Sequence, residues 1–312
     1  MATASTSARP DRVPSAQKGR PSQSATAGAD YVGRVADRGD QQAPPRTEDR
    51  HLLAKSSGRA FGGALLFALP LLMTMEIWEL GLSIPRYRLG LLLAATVLLV
   101  VFLSQHFGAG MPGVGWPGYL ADAGVAFVMA AVAAALVLGV LAVIRPVQGW
   151  QDSLSIISLE MLPAAVGASF ARSQLGVGGR RTPTTTYGGE LLLMAAGAVV
   201  FAANIAPTEE IVLLAAKMGA WHPVALVVLC LVLMHGFVYS VGFRGQEAAV
   251  GGVLRSFLTL TVVGYVIALV VSAYLLWTFG RFGGVGPAMA VTEAVVLALP
   301  ASLGAAAARL IL

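Results

Sequence analysis

The sequence predicts an all-α, polytopic transmembrane helical bundle of about eight spans, built from two parallel four-helix repeats. Three observations support this. The chain of 312 residues is 56% hydrophobic and 12% charged, with a mean hydropathy of +0.75, which is too apolar for an ordinary soluble domain. Several apolar stretches reach the roughly 20 residues that a helix needs to cross the hydrocarbon layer. Finally, the hydrophobic part of the chain contains an internal repeat.

Two pairs of similar segments, each of which we call an echo, indicate the repeat. Segment 63–77 returns at 197–211, a shift of 134 positions, with Gly, Ala, Phe, Ala, Thr, Glu and Ile in register. Segment 162–172 returns at 299–309, a shift of 137 positions, with its Leu-Pro, Gly-Ala and Ala-Arg pairs retained. The repeats are therefore expected at about 59–175 and 189–312. Because each would hold an even number of spans, both would enter the membrane in the same direction, related by an axis along the membrane normal.

Eight apolar stretches account for the predicted helices. The fourth is the weakest, because it carries Glu160, Pro163 and several serines, and an interfacial helix is an alternative there. Charge supports eight spans, since a seven-span arrangement would move six arginines to the outside. The expected helices are 59–82, 88–107, 121–144, 154–174, 189–214, 222–241, 255–279 and 288–311, and the arginines are Arg172, Arg180, Arg181, Arg244, Arg255 and Arg309.

Residues 1–55 differ in composition from the rest of the chain. They are rich in Ala, Ser, Pro, Gly, Gln and Arg and poor in large apolar residues, which predicts a disordered cytoplasmic tail before a transmembrane domain at 56–312. Ten of the 21 basic residues lie in the first 59 positions beside six acids, so the net charge of +5 does not indicate nucleic acid. The single cysteine, Cys230, excludes disulfides within the chain and makes a zinc cluster implausible.

Glutamates inside the apolar segments are the first candidates for chemistry. Glu76 falls late in the first predicted helix, and Glu210 falls late in the fifth, beside Glu209. An acid at the centre of a membrane helix costs about 2.5–3.5 kcal/mol on insertion scales. The helix macrodipole also opposes a carboxylate near a C-terminus. Retained glutamates at such places indicate a need for their charge or their proton, so we expect a cation or proton as ligand.

Prolines and polar side chains accompany these glutamates. Pro70 cannot donate to the carbonyl of Leu66, and Pro207 cannot donate to that of Ala203. Free carbonyls close to carboxylates are typical of cation sites in broken membrane helices, so both prolines are candidate helix breaks. Asn204 and Thr208 are four residues apart and could share the face of such a site.

A plainer interpretation stays open for each candidate. The first and fifth helices could end near residues 75 and 208, which would leave the glutamates in the headgroup layer or paired with a nearby Arg or Lys. His235, the only histidine well inside a span, is either a hydrogen-bonded packing residue or a proton relay opposite Glu210. The acids near predicted helix ends are expected to be solvated or capping: Asp122, Glu160, Glu190 and Glu293.

Four motifs in order resemble one bacterial family, a domain-of-unknown-function family known as "putative integral membrane protein". They are segments 69–78, 162–168, 205–211 and 242–246, and the similarity covers about residues 55–312. The resemblance implies a multi-pass protein of the bacterial cytoplasmic (inner) membrane, and the charge distribution puts both termini in the cytoplasm. It implies no activity, cofactor or site residue.

Three functions compete at this point. A secondary transporter or ion exchanger would use Glu76 and Glu210 as equivalent ligands at the interface between the repeats. An intramembrane hydrolase is the second, because Glu209-Glu210 is similar to the start of the Glu-Glu-x-x-x-Arg motif of CAAX-type membrane proteases, although the arginine is missing. A structural or signalling bundle is the third. The sequence favours a non-enzymatic role without cofactors, in contact with the lipid bilayer, and leaves metal binding and oligomeric state open.

Overall fold

The computed structural model describes residues 46–107, 115–144, 149–175, 186–240 and 257–311. The helix packing described below is that of the compact unit Leu52–Leu312. Every regular element in the described residues is helical. In chain order these are α1 (Arg46–Leu72), α2 (Met75–Ser83), α3 (Arg86–Phe107), α4 (Trp116–Val140), α5 (Trp150–Leu175), α6 (Tyr187–Ile205), α7 (Glu210–Lys217), α8 (His222–Ser240), a π-helical turn (Phe257–Val262), α9 (Val263–Thr278) and α10 (Pro287–Ile311).

The described helices confirm an all-helical membrane architecture. Six of them are long and apolar enough to cross a bilayer, and the weak fourth prediction, now α5, is among them. The pairs α1–α2 and α7–α8 pass the same test together but are bent by 87° and 118°, so the number of spans is six to eight. The grouping into two parallel four-helix repeats stays a prediction, and the predicted tail up to residue 45 lies outside the described residues.

The expected continuous helices at 59–82 and 189–214 are wrong, because each is interrupted. The first begins already at Arg46 and ends at Leu72, and α6 ends at Ile205. At the first break the hydroxyl of Thr74 donates to the carbonyl of Leu71 at 2.8 Å, and at the second Thr208 donates to Ile205 at 2.9 Å. A threonine hydroxyl that donates to a nearby carbonyl competes with the backbone N–H that would bond to the same carbonyl in a continuing helix. This competition favours a turn.

Close glycine contacts hold the long helices together. Gly63 of α1 packs against the backbone of Gly167 in α5, and Gly197 of α6 packs against that of Gly304 in α10. A Cβ atom at any of these four positions would overlap the opposing helix. Small residues allow such backbone approach in membranes, where dispersion contacts replace the hydrophobic effect as the driving force. In each half of the chain, the segment of the first echo therefore packs against the segment of the second echo.

The short helices cover the ends of two long ones. The helix α2 packs on α5, where a Cβ at Gly81 would lie 2.6 Å from Cγ1 of Ile156, and α7 packs on α10. Both breaks lie at one end of the bundle, which we call the break end. There Arg88 of α3 donates to the carbonyl of Trp277 at the end of α9 at 2.8 Å, and Arg86 donates to Gln151 at 2.6 Å.

Candidate functional site

Two carboxyl groups are enclosed completely within the bundle. Glu160 of α5 and Glu293 of α10 are both 0% exposed, and they are the only charged residues in the buried core of the described part. All four of their carboxyl oxygens lack a hydrogen-bond partner there. The expectation that both would be solvated or capping is wrong. Glu160 lies about 15 Å along α5 from Trp150, at 1.5 Å per residue, which is well beyond the first turn.

Helix register places each buried glutamate level with a proline. In the antiparallel pair α1 and α5, Glu160 precedes Gly167 by seven residues, and the seventh residue after Gly63 is Pro70. In the antiparallel pair α6 and α10, Glu293 precedes Gly304 by eleven residues, whereas α6 ends at Ile205, eight residues after Gly197 and shortly before Pro207. Each carboxyl group therefore sits at the level where the partner helix is interrupted or about to end.

Burial without a partner restricts the state of these groups. A carboxylate that leaves water without a compensating charge or hydrogen bond is costly, and such a group becomes neutral or acquires a counter-ion. Intramembrane acids are accordingly rare and mark ion pathways or proton relays. A proton or a bound cation would remove the cost at both positions.

An ion pair lies at the break between α6 and α7. There Arg281 donates to Oε1 of Glu209 at 2.6 Å and to the carbonyl of Pro207. Arg281 is 20% exposed and Glu209 is 64% exposed, so this ion pair lies at the edge of water. None of the ion pairs among the described residues involves Glu160.

The glutamates singled out in the sequence begin short helices rather than end long ones. Glu76 is in the first turn of α2, Glu210 is the first residue of α7, and Glu209 precedes it. Their expected place near a C-terminus is therefore wrong, and the macrodipole favours a carboxylate where they lie. Glu209 and Glu210 are exposed and Glu76 is half-buried. The plainer interpretation, in which the helices end near residues 75 and 208, agrees with these bounds.

Asn204 joins the ends of α1 and α6. Its amide Nδ2 donates to the carbonyl of Val200 at 2.6 Å and reaches that of Phe67 at 3.4 Å, while its buried Oδ1 has no partner among the described residues. The hydroxyl of Thr208 is used in the turn and donates to Ile205. The free Oδ1 of this amide could coordinate a cation or accept a hydrogen bond from a protonated group.

The remaining candidates have mainly structural surroundings. His235 Nδ1 lies 3.1 Å from the hydroxyl of buried Thr261, which agrees with a hydrogen-bonded packing residue. Pro207 is buried in the turn between α6 and α7, whereas Pro70 is exposed inside α1. Leu66 is 76% exposed, so the carbonyl that Pro70 leaves free belongs to the exposed face of α1. The motif segment 242–246 lies outside the described residues.

The other two acids form ion pairs at the end opposite the breaks. Asp122 of α4 pairs with Arg172 of α5, and Glu190 of α6 lies 3.5 Å from Arg309 of α10. They were expected to be solvated or capping, whereas in the structure each ion pair joins two neighbouring helices. Among the described residues, no group of three or more His, Cys, Asp or Glu side chains could hold a metal ion.

Sequence reasoning missed Glu160 and Glu293 because they do not correspond in the two echoes. When Pro163 is aligned with Pro300, Glu160 corresponds to Leu297 and Glu293 corresponds to Ile156. The two acids are thus one helical turn apart in the alignment, on the same buried face. A search for acids on the face shared with the packing glycines would have found them, whereas a search for matching positions did not.

Comparison with known proteins gives a family and no activity. Neither the curated proteins nor the solved structures contain a significant match to this chain. One family model matches residues 56–312, which is the region that the motif resemblance indicated. The chain therefore belongs to the domain-of-unknown-function family described as "Putative integral membrane protein (DUF2391)".

Proposed function

We propose that this membrane protein is a secondary transporter or ion exchanger in which Glu160 and Glu293 bind a proton or a monovalent cation. The observation that carries the proposal is the complete burial of two carboxyl groups whose four oxygens have no partner among the described residues. A purely structural bundle gains nothing from such groups, because leucine at either position would pack without a desolvation cost. A ligand that binds these carboxyl groups would explain why acids with a high desolvation cost are present in the core.

Helix breaks level with the carboxyl groups support the same function. Transporters often bind ions where helices are discontinuous, because backbone carbonyls and helix ends are then available as ligands. Here the turn between α6 and α7 lies level with Glu293, and Asn204 offers a free side-chain oxygen at the same end. The candidates that the sequence suggested stay secondary ligands in this proposal: Glu76, Glu209, Glu210, Asn204, Thr208 and His235.

Matching contacts in the two halves support a mechanism of alternating access. The pair Gly63–Gly167 and the pair Gly197–Gly304 join residues that correspond in the two echoes. Two similarly packed halves could rock against each other once a ligand neutralises the buried acids, since neutralisation removes the penalty of moving charge through the apolar interior. The interface between the halves would then contain α5 and α6, which are in contact.

The test measures ion movement in proteoliposomes of the full-length protein. Proton flux and uptake of labelled sodium and potassium would be followed under imposed gradients of each ion. Glu160→Gln and Glu293→Gln should each abolish the flux. Glu79→Gln is the matched control, because Glu79 is an exposed glutamate on α2 and should carry wild-type flux.

Two results would overturn the proposal. In one, the wild-type protein moves none of these ions in either direction. In the other, both glutamine variants move them at the wild-type rate. In that second case Glu76→Gln and Glu210→Gln would be measured next, which would test the pair that the sequence alone suggested.

A further inference from the structure

We propose that Arg88 is a latch that holds the two halves of the bundle together at the break end. The first half consists of the helices α1–α5 and the second half of the helices α6–α10, and Arg88 lies in the first turn of α3. The inference rests on the proposed function, since alternating access requires the halves to separate at one end at a time. It goes beyond that function in naming the contact that has to break before the break end can open.

Arg88 reaches across the boundary between the halves to the end of α9. Its Nη1 atom donates to the carbonyl oxygen of Trp277 at 2.8 Å, and its guanidinium carbon lies 5.0 Å from the centre of the Trp277 ring. A Cβ atom at Gly280 would lie 3.4 Å from the same Nη1 atom. One side chain of the first half therefore contacts both the last turn of a helix of the second half and the loop that follows it.

The end of α9 is a favourable place for this cation. Helix α9 ends at Thr278, and the chain turns away at Gly280, whose φ is +79°. The carbonyl oxygens of the last turn carry the negative end of the helix dipole, which attracts a guanidinium group, whereas the first turn of α3 repels it. The ring of Trp277 adds a cation–π interaction. Arg88 is therefore stabilised by the other half of the bundle and not by its own helix.

A second polar contact joins the halves at the same end. The Nδ2 atom of Asn204, near the end of α6, reaches the carbonyl oxygen of Phe67 in α1 at 3.4 Å. Hydrogen bonds are directional, so both contacts are lost when the helices that carry them move apart. Separation of the halves at the break end therefore has to break polar contacts on two pairs of helices, α3 with α9 and α1 with α6.

Away from the break end, the contacts are of a different kind. The two ion pairs at the opposite end each join helices of one half. An apolar cluster there brings small side chains of the first half, such as Ala64 and Ala168, together with Ala196 of the second half. Apolar contact has no preferred direction, so these surfaces can slide past one another at little cost. The polar latch thus distinguishes the break end as the gated end.

Removal of the guanidinium group should open the break end. Arg88→Gln removes both the charge and the stacking on Trp277, so the halves should separate there more often. Arg88→Lys retains a cation at the end of α9 without the planar group and should give an intermediate result. Arg86→Gln is the matched control, because Arg86 is an exposed arginine two residues earlier that donates to Gln151 of its own half.

Pulsed electron paramagnetic resonance of the full-length protein in lipid nanodiscs measures the separation directly. Spin labels would be attached to cysteines at Ser83 of α2 and Lys217 of α7, which are exposed and lie on short helices packed against α5 and α10, one in each half. The single native cysteine, Cys230, is buried and would be replaced by alanine. Arg88→Gln should add a population with a longer distance between the labels, and Arg86→Gln should give the wild-type distances.

A merely structural role of Arg88 at the end of α9 predicts a different result. In that case Arg88→Gln would lower the unfolding temperature and leave the distance between the labels unchanged, and the inference would be overturned. If Arg88→Gln folds poorly, Arg88→Lys and Trp277→Leu test the same contact, because each weakens it without removing the charge. Wild-type distances in both of these variants would also overturn the inference.

These distances are measured without an ion gradient and are therefore independent of transport. A longer distance in Arg88→Gln, together with a wild-type protein that moves no ion, would overturn the proposed function and leave the latch intact. Flux that depends on Glu160 and Glu293, together with unchanged distances in Arg88→Gln, would overturn the latch and leave the proposed function intact.

Discussion

Gly197 packs against the backbone carbonyl of Gly304, so that a side chain at either position would overlap the opposing helix. The same relationship joins Gly63 to Gly167. These contacts set the antiparallel register of two helix pairs, and that register brings the buried acids level with the ends of the partner helices. The packing of these helices and the level of the two buried acids therefore depend on the same four glycines.

Replacement of the packing glycines by alanine should destabilise the protein. Gly197→Ala and Gly304→Ala force two backbones apart, and overpacking of this kind costs about 1–3 kcal/mol. Gly139→Ala is the control, because a Cβ at this helical glycine in α4 would meet no atom within 4 Å. Thermal unfolding in detergent should show a clear loss for the first two variants and none for the third. Equal effects at all three positions would contradict the close contact.

Replacement of Glu160 by leucine should raise stability while it removes function. The change eliminates a buried group whose oxygens are unsatisfied, and relief of such a penalty contributes about 1–3 kcal/mol. Glu190→Leu is the comparison, because it breaks the ion pair with Arg309 and should lower stability. Thermal unfolding measures both effects. A lower unfolding temperature for Glu160→Leu would mean that the carboxyl group has a stabilising partner.

The hydroxyl groups at the two breaks should stabilise the turns. Thr74→Val and Thr208→Val remove a hydrogen bond to the carbonyls of Leu71 and Ile205 at constant side-chain size, at a cost of about 1 kcal/mol each. Thr74→Ser and Thr208→Ser retain the hydroxyl group and should restore most of the loss. Chemical or thermal unfolding would measure this. Serine variants as unstable as the valine variants would show that the hydroxyl group is not responsible.

The ion pair between Asp122 and Arg172 should matter more than the pair between Glu209 and Arg281. Side chains of the first pair are only 19% and 12% exposed, whereas Glu209 is 64% exposed. Asp122→Asn leaves a largely buried guanidinium uncompensated and should cost about 3 kcal/mol. Glu209→Gln should cost less than about 1 kcal/mol, as exposed pairs do. The reverse order in unfolding experiments would contradict this ranking.

The candidate site could be predicted only in part, and particular residues show why. The echo drew attention to Glu76 and Glu210, whose role as ligands stays a prediction, and the structure puts both next to corresponding breaks. It did not reveal that these breaks place them on short helices, because a turn at Thr74 or Thr208 depends on whether α2 and α7 can pack on α5 and α10. Glu160 was missed because it has no acidic counterpart in the second echo, where Leu297 corresponds to it.

The sequence by itself determined that the chain is a helical membrane protein and roughly where its helices lie. These properties are local, since the length and apolarity of a segment decide whether it can cross a bilayer. Only the tertiary structure decided which carboxyl groups are hidden. Burial is a property of all the helices around a residue, and these helices come from distant parts of the chain, as the contact of Arg281 with Pro207 shows at the α6–α7 turn.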